Sequence, residues 1–215
     1  MAKNKTKRPL CKVSAVVLFV AMLIGVLLSA WFFVSPSLDM KSRLDEQNRL
    51  LLSIEQGNGM VAVAQRNDIT QADYHDASTD THYITGIGIL TIDVIGLRLP
   101  VAEGVSEAHI NVAAGHVPQT AAIGELGNAV IIGHRSYEYG LFFNRLGELK
   151  HDDIVEYQPI DGTPLRFEVY EILQVEPDDQ SAFFQPADES IITLYTCTPI
   201  NEATHRLLVR ARLIS

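Results

Sequence analysis

Hydrophobic and polar positions divide the chain into stretches with different periods. Val13 to Val34 is a run of 22 residues without one charge, and crossing a bilayer's hydrocarbon core takes about 20 helical residues. From Pro36 to about Arg66 the apolar positions thin to Leu38, Leu44, Leu50, Leu51 and Ile54, set among Asp39, Lys41, Arg43, Asp45, Glu46 and Arg49. That spacing predicts an amphipathic helix, with Ser37 as its cap and Gly57-Asn58-Gly59 as its interruption. Residues 67–82 are polar and turn-rich and read as a loop or linker, with a lid as the other reading. Beyond residue 83 the character changes to short apolar runs punctuated by turn residues. They predict strands at 84–92, 94–101, 128–133, 153–158, 165–175, 190–197 and 205–214. Asp161-Gly162 is a hairpin signal between two of them. Leu207, Val209, Ala211 and Leu213 alternate with Arg206, Leu208, Arg210 and Arg212, as on a strand with two distinct faces. Between residues 165 and 175 the alternation is imperfect. So many strands in about 130 residues, with little helix, predict a closed β-barrel or a sandwich around one core.

Charge refines this division. Lys3, Lys5, Lys7, Arg8 and Lys12 precede the apolar run, and no acidic residue occurs before Asp39. The positive-inside rule then places residues 1–12 in the cytoplasm as a basic tail and residues from about 35 onward outside the cell. Residues 13–34 become a single-pass anchor, with Trp31, Phe32 and Phe33 at the outer interface. A cleaved signal peptide is the rival reading, since Leu28-Ser29-Ala30 is a passable cleavage site, but its apolar stretch is longer than the usual one. The expected organisation is thus tail 1–12, anchor 13–34, juxtamembrane helix and linker 35–82, and β-rich domain 83–215. Of 17 Lys and Arg, 12 lie outside the tail against 26 Asp and Glu. The exported part is strongly acidic, which argues against nucleic acid as a partner.

Candidate chemistry centres on Cys197. It ends the apolar run Ile191-Ile192-Thr193-Leu194-Tyr195-Thr196, and Pro199 forbids a simple continuation of the ladder. The other cysteine, Cys11, lies in the basic tail, whereas exported domains ordinarily pair their cysteines as disulfides. A lone thiol at a strand end is either an inert buried hydrophobe or a nucleophile, and residue type alone leaves both open. A free thiol titrates near about 8.5 and needs a cationic neighbour to be substantially ionised at neutrality. His134 is the candidate proton carrier. It follows the apolar strand Asn128-Ala129-Val130-Ile131-Ile132 and Gly133, a glycine that permits close approach. Of the seven histidines, His75, His82 and His151 sit in polar stretches, His109 and His116 lie among loop residues, and His205 begins the last strand. Arg206, nine residues after Cys197, reaches the thiol if the last two strands lie side by side. A guanidinium there would stabilise a thiolate or an oxyanion. Arg210 and Arg212 share its face, so alternation does not choose among them.

Taken together, these segments resemble the sortase family. Thr193-Leu194-Tyr195-Thr196-Cys197 resembles the sortase signature Thr-Leu-x-Thr-Cys. Gly133-His134-Arg135 matches the family's Gly-His-Arg motif. Thr193 to Arg210, with Thr198-Pro199 and Thr204-His205-Arg206, is similar to the class C branch that polymerises pilins, and the likeness covers roughly residues 84–215. The resemblance implies a mainly β fold, a closed eight-stranded barrel with short helices behind the transmembrane and juxtamembrane helices. It implies that Cys197 is the nucleophile, His134 the general acid and base, and Arg206 the group that steadies the reacting carbonyl. It implies cleavage of an LPXTG-like sorting signal between Thr and Gly through a thioacyl-enzyme, and transfer to an amine. In class C the amine is a pilin lysine; in anchoring enzymes it belongs to a cell-wall precursor. No metal or organic cofactor is required by such chemistry. Residues 60–85 contain no proline, so the Asp-Pro-aromatic lid element of many class C members has no full match there, and Asp73-Tyr74 or Asp76 is left as its substitute. Two further readings are a non-catalytic surface barrel with an unreactive Cys197, and a thiol hydrolase that releases surface proteins.

Overall fold

The structure, a computed structural model, describes residues 10–64 and 81–215. Its internal contacts divide the chain into Met1–Arg43 and Leu44–Ser215. One helix, α1 (Leu10–Glu55), spans both of the stretches expected to form separate helices. Ser37 therefore begins no new helix, since a capping residue marks a start only where the preceding backbone is not already helical. Val17, Phe19, Met22, Leu27, Leu28 and Trp31 of α1 are exposed. Among the described residues no helix is long and apolar enough to cross a membrane.

In the second unit α1 ends where the glycines predict. Gly57 and Gly59 have φ of 74° and 62°, a region costly to residues with a Cβ, and β1 (Met60–Ala64) follows. The remaining strands are β2 (Thr81–Ile92), β3 (Leu97–Glu103), β4 (Ala114–His116), β5 (Gly127–Ile132), β6 (Ile154–Pro159), β7 (Leu165–Val175), β8 (Ser190–Thr198) and β9 (His205–Leu213), with α2 (Glu107–Ile110) before β4. The sheet order is β1-β2-β3-β4-β5-β8-β9-β7-β6, and β6 pairs back onto β2. That last pairing closes β2 to β6 into an eight-stranded barrel, with β1 appended to the outer edge of β2.

The barrel interior is filled by one face of each strand, including Leu90, Leu99, Ile131, Phe167, Leu194 and Val209. The imperfect alternation of β7 has a physical cause. Its register against β9 shifts between Val169 and Glu171, so one residue bulges out and the inward face passes from odd to even positions. Phe167 and Val169 point to the core before the shift, and Ile172 packs against it afterwards. A second cluster lies outside the barrel, where Leu50 and Ile54, one helical turn apart, cover Ile84, Ile89 and Ala102. Gly86 lets the helix approach, because a Cβ there would fall 2.6 Å from Ile54. Each of those two side chains contributes at most about 1.5–3 kcal/mol by leaving water.

Some expectations change. β1 and β4 have no counterpart among the expected strands, and β4 is only three residues long. Thr81 and His82 open β2 rather than closing a loop, and the rest of that loop, with His75, lies outside the described residues. His116 belongs to no loop: it ends β4, is buried, and bonds Glu103 through Nδ1 at 2.9 Å and the Ala121 carbonyl through Nε2 at 2.9 Å. His109 sits in α2.

Candidate active site

Two strand pairings bring distant parts of the sequence to one end of the sheet. β8 and β9 run antiparallel with Cys197 opposite Arg206. Side chains directly opposite on neighbouring strands share a face, with Cβ atoms about 4.5–5.5 Å apart. β5 runs parallel to β8, and its last register pair is Ile132 with Tyr195. The contact continues one residue further: the Gly133 N–H donates to the Tyr195 carbonyl at 3.1 Å, and the Thr196 hydroxyl donates to the Gly133 carbonyl at 2.8 Å. His134 and Cys197 each come two residues after that last pair, so both leave the same end of the two strands.

The face of β8 that carries Cys197 is the outer one. Ile192, Leu194, Leu207, Val209 and Ala211 of β8 and β9 fill the barrel core, and Thr193, Tyr195 and Cys197 alternate with the first of these. Cys197 is a free cysteine of intermediate burial. It is neither sealed in the core nor fully exposed, as a thiol needs to be if it is to meet a large reactant. β8 stops at Thr198, and Pro199, having no N–H to give, takes no further part in the ladder.

His134 opens the connection between β5 and the short helical turn at Leu146–Glu148. Its ring is exposed and stands edge-on to Phe142, with centroids 6.4 Å apart. Its carbonyl accepts from the Phe143 N–H at 2.9 Å, and Arg135 and Phe142 form an isolated β-bridge. Gly133 is needed for that fold-back, since a Cβ there would lie 2.6 Å from the Phe143 ring. Asn144 completes the clamp by donating to the Ser136 carbonyl at 2.7 Å.

Arg206 is half-buried. Its Nη1 donates to the carbonyls of Ala203 and His205, each at 3.0 Å. The structure separates it from its two neighbours on the same face. Arg210 is committed elsewhere, with Nη1 on Glu171 at 2.5 Å and Nη2 on the Ser181 carbonyl at 2.6 Å. Arg212 pairs with Glu189 at 3.1 Å. Of the three arginines that alternation left equivalent, register picks out Arg206.

A fourth arginine, to which sequence reasoning gave no role, also meets the cysteine. Arg135 sends Nη1 to the Cys197 carbonyl at 3.5 Å and Nε to the Asn144 carbonyl at 3.4 Å. Partial burial draws this guanidinium below its ordinary value, while the nearby Cys197, when ionised, acts in the opposite direction. The signal available beforehand was its position next to His134.

The outer face beyond the cysteine is roofed by the connection between β7 and β8, residues 176–189. Asn128 is fully buried; its amide donates to the carbonyls of Ala182 at 2.8 Å and Phe184 at 3.0 Å, and its carbonyl accepts from the Thr193 hydroxyl at 2.8 Å. Gln185 bridges the Asn128 backbone from both sides. Phe183 meets Tyr195 with ring centroids 6.4 Å apart. Among the described residues no group of three or more His, Cys, Asp or Glu side chains is arranged to hold a metal ion. A cleft of about 330 Å³ lined by Ile54, Arg98, Gln158 and Ile160 lies at the end of α1 and shares no residue with the cysteine cluster.

Known proteins resemble this chain in sequence and fold. A family model described as the sortase domain matches residues 90–214. Sortase A of Streptococcus agalactiae serotype III (strain NEM316) is 26% identical over 141 residues, which cover 64% of this chain and 56% of the relative. Sortase D of Bacillus subtilis (strain 168) is 27% identical over 131 residues, which cover 60% of this chain and 64% of the relative. The chain thus spans less than two thirds of the length of either curated relative. A solved structure of a pilus-related Sortase C of Group B Streptococcus superimposes with a TM-score of 0.56 at 28% identity, covering 80% of this chain and 90% of that one. The three names carry three different class letters.

Proposed function

This chain belongs to the sortase family, and from that premise we propose that it is a membrane-anchored cysteine transpeptidase which cuts an LPXTG-like sorting signal and passes it to an amine, a pilin lysine in the first instance. The observation that carries this reading is the pairing of Cys197 with Arg206 at the end of β8, where the end of β5 delivers His134. In this reading the Cys197 sulfur attacks the threonine carbonyl, the Thr–Gly C–N bond breaks, and His134 gives a proton to the departing glycine amine. The product is a thioester. An incoming amine loses its proton to His134, attacks the same carbon and expels the sulfur, leaving a new amide. Arg206 turns from its carbonyl partners to donate to the acyl oxygen as charge develops there.

Pilin lysine as the acceptor rests on the class C likeness of Thr193 to Arg210 and on the pilus-related Sortase C that the fold resembles. Anchoring to a cell-wall amine is the competing acceptor, favoured by the Sortase A relative. Membrane attachment through residues 13–34 rests on their uncharged sequence and on the five basic residues before them. Fractionation of cells, followed by protease added from outside, tests it: the β-rich domain is expected in the membrane fraction and accessible.

The enzymatic test uses the full chain in detergent with a fluorescent LPXTG peptide and either a pilin domain or a cell-wall pentapeptide amine. Mass spectrometry is expected to find the Thr-terminated fragment on Cys197 and then on the pilin lysine. Transfer to the pentapeptide alone would favour anchoring, release by water alone would favour a hydrolase, and no cleavage with an alkylation-resistant Cys197 would leave only a non-catalytic barrel.

A further inference from the structure

Two guanidiniums approach Cys197, and they do so from different directions. Arg206 comes from the neighbouring strand and spends its Nη1 on the turn that precedes it. Arg135 comes from the connection that bears His134 and reaches the backbone of Cys197 itself. We propose that Arg135 is a positioning residue of the acyl-transfer site, joining the His134 connection to the strand end of Cys197 and setting a fixed positive charge beside the sulfur. The inference rests on the reading of Cys197 as the nucleophile.

Four observations support it. The arginine's backbone is fixed by its bridge to Phe142. Its Nε and Nη1 reach carbonyls on two different segments, Asn144 and Cys197, as a planar fork can and a lysine cannot. Its far end lies against Gly147, where a Cβ would come 2.8 Å from Nη2 and 3.7 Å from Cζ. Glycine at 147 therefore keeps open the seat in which the fork rests. Finally, the guanidinium lies close enough to Cys197 for the two to interact electrostatically. A half-buried cation favours the ionised form of a neighbouring thiol.

The division of labour follows from reach. Arg206 shares an open sheet face with the sulfur and can turn toward a bound acyl group. Arg135 contacts main chain on both sides, so it acts through Cys197 and His134 rather than on the substrate. Removing it is expected to leave binding nearly intact while loosening the relation of imidazole to sulfur.

The experiment compares Arg135→Met, Arg135→Lys and Gly147→Ala in the full chain in detergent, with Cys197→Ala as the control. Peptide cleavage gives kcat and KM, and iodoacetamide gives the pH profile of thiol alkylation. Arg135→Met is expected to lower kcat on the order of 10²-fold with KM within about threefold, as a small misplacement of reacting groups does. Across its profile, alkylation is expected to be slower at neutral pH, because a cation seated against Cys197 is lost. Arg135→Lys should return the profile but only part of kcat, because it restores the charge and not the fork. Gly147→Ala keeps the arginine and moves only the flexible end of its side chain, so it should lower kcat while the thermal midpoint stays near that of the parent. Unchanged kcat and alkylation profile in Arg135→Met overturn the proposal; if that variant does not fold, unchanged values in Gly147→Ala overturn it. Cleavage that survives in Cys197→Ala overturns instead the nucleophile reading on which it rests.

Discussion

Two connections border the outer face that carries Cys197, and they are built in opposite ways. The one after β5, residues 133–145, is secured near its base by main-chain contacts, the Phe143 N–H on the His134 carbonyl and the Arg135–Phe142 bridge. Its tip is open: Tyr137 and Tyr139 are 75% and 74% exposed. The one between β7 and β8, residues 176–189, is bolted down by side chains from the barrel wall, with Asn128 and Arg210 reaching three of its carbonyls. The first presents a titratable ring and an arginine, and the second presents shape. The His134 imidazole is left uncovered, while the segment that carries it is tied down by its own main chain and by Asn144. The second connection is tied to the barrel by bonds that are partly or fully buried, where water competes poorly.

That contrast breaks most sharply at His134. His134→Ala is expected to lower kcat/KM about 10³-fold, in the range that loss of a general acid and base produces. It should leave the thermal midpoint nearly unchanged, because an exposed side chain contributes little to the fold. Calorimetry beside the peptide assay checks both halves. A large fall in the midpoint would mean that the first connection, like the second, is held by its side chains.

Asn128→Ala is the converse. It orphans the carbonyls of Ala182 and Phe184 and the Thr193 hydroxyl in a buried setting, at a cost of about 3 kcal/mol. For a domain of this size the midpoint should drop by roughly 6–12 °C. Where the variant is still folded, KM is expected to rise more than kcat falls, since in the proposed reading residues 176–189 lie beside the bound peptide and not among the reacting groups. A peptide titration below the unfolding transition reads this directly.

How much of this was legible in the sequence differs between the same two connections. The strands that flank Cys197 and His134 could be read directly, because each is a continuous apolar run ended by a turn residue. His134 and Cys197 stand out at strand ends and in short motifs, whereas Arg206 is singled out only by the family resemblance, alternation leaving it level with Arg210 and Arg212. Register then supplied what alternation lacked, setting Arg206 opposite the sulfur while engaging Arg210 with Glu171 and Arg212 with Glu189. Asn128 was invisible as a clamp: it reads as the polar first residue of an apolar strand, and its partners Ala182, Phe184 and Gln185 lie more than 50 residues away. β4 escaped because three residues carry no measurable period, and His116 with it. Tyr170 lies where the β7 register slips, and that bulge shows in sequence only as a flaw in an otherwise regular alternation. Short-range periodicity reports which face a residue occupies, and it is silent about which distant side chain will meet it there.

Smaller effects sharpen the comparison at the tip of the first connection. The Arg145 guanidinium lies 4.8 Å from the Tyr139 ring centroid and also pairs with Glu148. Tyr139→Ala removes one exposed cation–π contact and is expected to cost no more than about 1 kcal/mol. Urea unfolding should detect no larger change, whereas a loss as great as that from Asn128→Ala would show the tip to be structural.

The smallest expected effect depends on acid and belongs to the second connection. Asp179 accepts from Ser181, whose hydroxyl first and backbone N–H second hold its carboxyl below the usual carboxylate range; the N–H contact is 2.7 Å. An acid whose folded value is depressed contributes stability above its unfolded value, about 3.9, and that contribution is lost as pH falls through the folded value. Residues 176–189 should therefore open more readily at pH 3 than at pH 5, with residues 133–145 as the internal reference. Because Asp179 is solvated, the change should appear as faster local hydrogen exchange, corrected for intrinsic rates, and not as global unfolding. Glu171 holds Arg210, which also ties down this connection, so Asp179→Asn isolates the contribution of Asp179. The asparagine keeps an acceptor for Ser181 without a proton to gain, and the difference between pH 3 and pH 5 should shrink. If it persists in full, the acid sensitivity of residues 176–189 does not originate in the Asp179 cap.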